Sequence, residues 1–164
     1  MCLGVFVVSL SERGKQPNMF RKLIATSATW FTLPIRLALG AVMFAHGAQK
    51  VLGSFGGPGF STYISGNTPF SFMRPTWLWL TAAAFAEFAG GLLVILGFLT
   101  RFASFLIACT MLTAVVGVHW SGGFFAANRG YEYPLSLLAM AVALMIAGGG
   151  QASVDRALSG SGRR

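Results

Sequence analysis

The sequence predicts an all-α polytopic membrane protein, a bundle of four transmembrane helices. Three observations lead there. The 164 residues are 55% hydrophobic and only 10% charged, with a mean hydropathy of +0.69. A soluble domain carries roughly a quarter charged residues, and a disordered chain lacks this apolar content. Four apolar runs each approach the roughly 20 residues that a helix needs to cross the hydrocarbon. Finally, the basic residues that give a net charge of +8 fall between those runs, not on one polar surface, which argues against a nucleic-acid binder.

The runs cover about 33–52, 76–99, 102–120 and 133–147. Backbone polar groups in lipid must be satisfied within the segment, so these runs read as helices, and no alternating pattern suggests a barrel. Pro34, Pro75 and Pro134 sit at or near first turns, where a missing N–H is harmless. Gly148-Gly149-Gly150 ends the fourth run. Trp30, Trp77, Trp79, Trp120, Tyr131 and Tyr133 lie near helix ends, as an aromatic belt would. The organisation that follows is a cytoplasmic segment 1–29, a four-helix membrane domain 30–150 and a basic cytoplasmic tail 151–164. Residues 1–18 read as an extension ahead of a natural start at Met19. The first external loop, about 53–75, is rich in Gly, Pro, Ser, Thr and Phe, and its aromatics suit the membrane surface.

Charge sets the orientation. Arg13, Lys15, Arg21, Lys22, Arg101, Arg156, Arg163 and Arg164 fall on one side, against Lys50, Arg74 and Arg129 on the other. The positive-inside rule therefore places both termini in the cytoplasm, in a multi-pass protein of the bacterial plasma (inner) membrane.

Ionisable residues inside a span are costly and usually face the bundle interior. Here they are Arg36, His46, Lys50, Glu87, His119 and Glu132. On the first helix Arg36, Gly40, Met43, His46, Gly47 and Lys50 follow steps of three and four and form one stripe. Glu87 shares its face with Ala83, Ala84, Gly90 and Gly91, and Glu132 with Ser136, Ala139, Ala143 and Ala147. Small faces are where membrane helices approach closely, so the spacing predicts one interior polar cluster in the outer half of the bundle. Blander readings stand beside this. Arg36 fits snorkelling to cytoplasmic phosphates somewhat better than a site role, and Lys50 fits outward snorkelling about as well as a site. His119 and Glu132 fit interfacial caps, and His46 an interhelical hydrogen bond. Glu87, about halfway across, must be protonated or paired with a cation, and Lys50 and His46 are the nearest partners. A structural ion pair explains Glu87 almost as well as catalysis does.

Cys2 and Cys109 make neither a disulfide scaffold nor a metal site, and Cys109 reads as a small packing residue. Repeated Glu-x-x-His is absent, and His46 and His119 differ in depth by roughly 7 Å, which does not suit a haem. The reading therefore assigns no metal and no intrinsic cofactor. It leaves a bound quinone or a partner to carry electrons.

Motifs in order point to a family. Arg36 followed by Phe44-Ala45-His46-Gly47-Ala48-Gln49-Lys50 resembles the first-helix signature of the DoxX family. Glu87 with Gly90-Gly91 and Leu96-Gly97-Phe98-Leu99-Thr100-Arg101 resembles its second-helix motif. Val118-His119, Gly122-Gly123-Phe124-Phe125 and Gly130-Tyr131-Glu132-Tyr133-Pro134 resemble its third loop, and 148–155 its closing segment. The resemblance covers about 30–157. It implies a four-helix inner-membrane protein, in a setting of quinone-linked oxidoreductases, and for some members a soluble redox enzyme as partner.

Three functions are weighed. The first is a membrane subunit of an oxidoreductase system that handles a quinone or small redox substrate. In it Glu87, His46 and Lys50 are the catalytic candidates, and His46, Lys50, Glu87, His119 and Glu132 bind the head group. The second is a non-catalytic anchor or assembly subunit for a soluble redox enzyme. The third is a small-molecule or proton transporter. A homo-oligomer is compatible with each.

Overall fold

A computed structural model describes residues 23–160. The apolar segment 1–10, Met19, and the terminal charges Arg13, Lys15, Arg21, Lys22, Arg163 and Arg164 lie outside the described residues. Helix α1 spans Thr32–Val51 and α2 Gly59–Ile64, after a 3-10 turn at Ser54–Gly56. Helix α3 spans Thr76–Leu96. Helix α4 spans Thr100–Thr113 and runs on through a π-helical stretch, Ala114–His119, and a 3-10 turn, Trp120–Gly122. A 3-10 turn at Ala126–Asn128 precedes α5, Glu132–Ala147, and the short α6, Val154–Gly160, follows. There is no strand among the described residues. The expected irregular loop 53–75 thus holds a helix.

Among the described residues, two helices are long and apolar enough to cross a membrane, Thr76–Leu96 and the continuous Thr100–Gly122. Helix α5 is apolar but has 16 residues. Helix α1 has 20 residues and carries Arg36, His46, Gln49 and Lys50. Large apolar side chains are exposed along the helix flanks, among them Phe85, Leu92, Phe105, Leu112, Val116 and Ile146. A water-soluble protein does not display so extensive an apolar surface, and a membrane protein needs one.

The four long helices pack around a core of Leu39, Met43, Val94, Ala103, Ile107, Met111, Leu137, Ala141 and Leu144. Helix α1 lies along α3 with their backbones in contact. A Cβ on Gly47 would overlap the Phe88 backbone, and one on Gly91 would overlap the Phe44 amide and lie 2.9 Å from the Gly40 carbonyl. Small residues permit this approach, and the approach brings side chains of α1 within reach of α3. Gly90 is on another side of α3, where an added Cβ would lie 3.4 Å from Ile107 in ordinary contact.

The turn after α3 closes at Leu96, three residues before the expected end. Gly97 adopts φ 67°, its N–H reaches Val94 O at 3.1 Å, and Phe98 N–H reaches Leu93 O at 3.0 Å, a Schellman motif. Arg36 lies against this turn and is only 2% exposed, so it does not snorkel to the surface. Its Nε donates to Val94 O at 2.9 Å and Nη2 to Ile95 O at 2.7 Å. Its Nη1 donates to Gly149 O at 2.8 Å and Ala152 O at 2.6 Å. The last carbonyls of a helix lack intrahelical partners and carry the negative end of the dipole, so a buried guanidinium is stable there. Asp155 completes this end of the bundle. Leu99, at φ 48°, cannot cap α4 with its own side chain, and the Asp155 carboxylate accepts instead from Leu99 N at 2.8 Å and Thr100 N at 2.9 Å. The closing segment thus ties the α3–α4 turn to the N-terminal end of α1.

Two stability outcomes follow from this packing. Arg36→Met orphans four carbonyl contacts, of which the buried two, to Val94 O and Gly149 O, are each worth about 1–3 kcal/mol when left unmade, so thermal unfolding in detergent should shift down by far more than for Arg156→Met on the exposed tail. Gly47→Ala should cost about 1–3 kcal/mol by forcing α1 from α3, whereas Gly90→Ala should stay near wild type. Equal melting of the two glycine variants would show that the helices do not touch at Gly47.

Candidate functional site

The α1–α3 contact has a chemical consequence. Lys50 stands in the last turn of α1, and Glu87 sits in the middle of α3. The Lys50 Nζ donates to both carboxylate oxygens at 2.5 Å. The Glu87 side chain is 4% exposed and that of Lys50 23%. A lone carboxylate at this depth would have to be protonated, and a cation at hydrogen-bond distance makes the ionised form tolerable. Lys50 therefore turns inward to Glu87 and does not extend to the surface.

Tyr63, from α2, closes over the pair. Lys50 Nζ lies 5.2 Å from its ring centroid, in cation–π range. Burial raises the Tyr63 hydroxyl above the ordinary phenol range, while neighbouring Lys50 pulls the other way, so it is a neutral donor at neutral pH. Helix α2 is what places this ring. From the sequence, Tyr63 was only one aromatic in a Gly-rich loop.

Two cavities share Lys50 and Glu87 as a common wall. The larger, about 490 Å³, lies between α3 and α4 beneath the 53–75 connection. It is mostly apolar, with Met73, Trp79, Leu80 and Leu106 in its lining and Tyr63 and Thr110 as further polar contacts. Cys109 also lines it and is exposed, not a buried packing residue as expected. The smaller cavity, about 150 Å³, is lined by Met43, His46, His119, Tyr133 and Leu137 besides the pair. There His46 Nε2 and Tyr133 Oη stand 3.5 Å apart, the outer limit of a hydrogen bond. His119 ends the π-helical stretch, and its Nδ1 is 2.8 Å from Arg129 O. A carbonyl only accepts, so Nδ1 carries a proton, and in the neutral imidazole it is Nε2 that keeps the lone pair. Single π turns inside α-helices recur at functional sites, and this one supplies Ala114, Val118 and His119 to the cavity walls.

Of the residues singled out from sequence, His46, Lys50, Glu87 and His119 meet around these cavities. Glu132 does not. Its Oε1 accepts from Ala126 N at 2.7 Å and organises the α4–α5 connection. An acid in the first turn of α5 is also favoured by the helix dipole. Arg36 belongs to the opposite end of the bundle. No group of three or more His, Cys, Asp or Glu side chains suited to a metal occurs among the described residues.

The geometry can be set beside known proteins. The protein named "Putative oxidoreductase CatD" of Bacillus subtilis (strain 168) is 29% identical over 122 residues, which cover 69% of this chain and 77% of that protein. No solved structure matches the fold. The sequence profile of the DoxX family matches residues 31–120, a stretch that includes α1, α2, α3, α4 and both Lys50 and Glu87. The chain is a membrane protein of the DoxX family.

Proposed function

We propose that this protein is the membrane subunit of an oxidoreductase system and binds a quinone in the larger cavity, with its reactive ring against Lys50, Glu87 and Tyr63. The observation that carries the reading is that a buried, hydrogen-bonded ion pair forms the inner wall of an otherwise apolar cavity. About 490 Å³ falls in the range of ordinary ligand sites, which are mostly apolar with a few fixed polar groups. An ammonium has three protons, and Glu87 takes two of the Lys50 hydrogen bonds. The third, with the Tyr63 hydroxyl, suits a carbonyl oxygen. Met73, Leu80 and Leu106 suit an isoprenoid tail. The name of the Bacillus subtilis relative agrees with redox chemistry.

Reduction of a quinone to the quinol takes two electrons and two protons. In this reading a soluble redox enzyme at the membrane surface supplies the electrons, and the Lys50–Glu87 pair stands ready to exchange protons with the ring oxygens. The four long helices would all cross the inner membrane, with α1 and α5 completing the bundle begun by α3 and α4, and with both termini in the cytoplasm. A through-going transport route fits less well. Toward the Arg36 end, Met43, Leu39, Val94, Ile107 and Leu144 fill the bundle and are almost wholly buried, and Arg36 is spent on backbone carbonyls.

Titration of the purified protein with a short-chain ubiquinone or menaquinone analogue should quench tryptophan fluorescence saturably, mostly through Trp79, and Trp79→Phe should lose most of the signal. Glu87→Gln should weaken binding about tenfold or more, equivalent to about 1.4 kcal/mol. The double variant Lys50→Gln/Glu87→Gln, which buries no lone charge, guards against simple misfolding. Wild-type affinity in that double variant would remove the ion pair from quinone binding.

A further inference from the structure

The larger cavity gives the pair a place to meet a membrane-dissolved ligand, but it leaves the source of protons open. Glu87 is faced by Lys50 from α1 and is flanked on that side by Tyr63 from α2. Across the smaller cavity it is faced by His46 from α1, His119 from α4 and Tyr133 from α5. Cys109 from α4 shares the larger cavity with it. Among the described residues these are the titratable groups around Glu87, and those of the smaller cavity lie where the C-terminal ends of α1 and α4 meet the start of α5. His46 is exposed and Tyr133 is 46% exposed, so this cavity reaches the surface of the bundle at that end. On the other side of Glu87, toward Arg36, the side chains of Leu39, Val94, Ile107 and Leu144 are 0% exposed and Met43 is 1% exposed. A proton therefore has a polar approach from one end of the bundle and a packed apolar plug toward the other.

We propose that the smaller cavity is a water-filled branch through which Glu87 exchanges protons with only one aqueous compartment, the one facing the bundle end opposite Arg36, with His46 and His119 as its relay bases. The volume of about 150 Å³ has room for a few waters, and the imidazoles and Tyr133 supply the polar partners such waters need. His119 is set up for this work, since Arg129 O holds its Nδ1 proton and leaves Nε2 as a base. The two cavities then divide the labour at one carboxylate: the ligand arrives on one side of the ion pair and protons on the other. The proposal deepens the quinone reading and rests on it for its purpose, but its test needs no quinone.

The test replaces the carboxylate by a thiol, Glu87→Cys, in a background of Cys2→Ser and Cys109→Ala. Alkylation by N-ethylmaleimide requires the thiolate, and this neutral reagent reaches both sides of a membrane. The protein is held in sealed vesicles, their orientation fixed by protease access to a tag on the C-terminal tail, with the pH varied on one side at a time. We expect the alkylation rate below the thiol pKa to rise about tenfold per pH unit with the compartment opposite the tail and not to respond to the compartment on the tail side. Adding His46→Phe and His119→Phe should weaken that response. His46→Cys in the same background leaves the Lys50–Glu87 pair intact and should show the same one-sided response if Glu87→Cys does not fold. A rate that follows the tail-side pH, or both compartments equally, overturns the proposal, as does a thiol at either position that stays unreactive at every pH. Quinone titrations of the native protein stand or fall separately.

Discussion

A carboxylate in the middle of an apolar helix dictates much of this structure. Glu87 can remain ionised there only with a cation at contact distance, because the Coulomb attraction must offset the loss of solvent on both partners. Lys50 reaches it where α1 and α3 touch backbone to backbone. That explains why Gly40, Gly47 and Gly91 line the interface, where any Cβ would collide with the facing chain. The ion pair and the glycine contact are therefore one constraint. Without the glycines the pair would be stretched, and without the pair a buried charge would sit between the helices. Side-chain volume, electrostatics and interhelical distance are solved together.

The bundle carries a second buried charge, and comparing the two separates structure from function. Arg36 has five N–H donors, and four hydrogen bonds join it to the carbonyls of Val94, Ile95, Gly149 and Ala152. It borders neither cavity described above and has little capacity left for a ligand, so its work is to fasten the closing segment to the end of α3. Lys50 and Glu87 satisfy each other as well, but they do so at the wall of two cavities, with one ammonium proton in reserve. Burial among packed backbone carbonyls marks a fastening. Burial beside open space marks a place where chemistry can occur.

Much of this was legible from the residues. The all-helical character follows from apolar run length, a signal that lipid makes strong because every backbone group must bond within its own segment, and steps of three and four mark the small-residue contact of α1 with α3. The face of α5 predicted to be interior is exposed at Ser136 and Ala139, and α5 buries Pro134, Leu137, Ala141 and Leu144 instead. That Glu87 needs a cation or a proton was visible because a mid-span acid admits few alternatives, but Lys50 and His46 were equally open as partners, and the structure pairs Lys50. Other features were not legible, for identifiable reasons. Arg36 looked like a snorkelling residue because sequence shows depth but not the curled carbonyls of a distant turn. The Schellman motif at Gly97, which ends α3 before Leu99, could be suspected from the glycine alone, but Asp155, whose carboxylate caps the start of α4, lies 55 residues or more from the amides it caps. Tyr63 was hidden because a six-residue helix in a glycine-rich loop has too little periodicity to read. Glu132 shared a face with small residues, as predicted, yet its carboxylate was claimed by a nearer donor, the Ala126 amide.

The π-helical stretch in α4 bears on why the two cavities exist side by side. A regular helix continued through Ala114–His119 would keep its residues in step with the core stripe of Ala103, Ile107 and Met111. The wider π turn changes that step, so beyond Val115, which is still buried, the residues leave the core stripe. Space opens on both flanks of the same segment, with Val118 facing one cavity, His119 the other, and Ala114 bordering both. A close-packed bundle has no room beside the ion pair, and a loosely packed one could not hold the pair in place. The local change of helical pitch resolves the conflict by leaving the Arg36 half tightly packed while hollowing the half that holds Lys50 and Glu87.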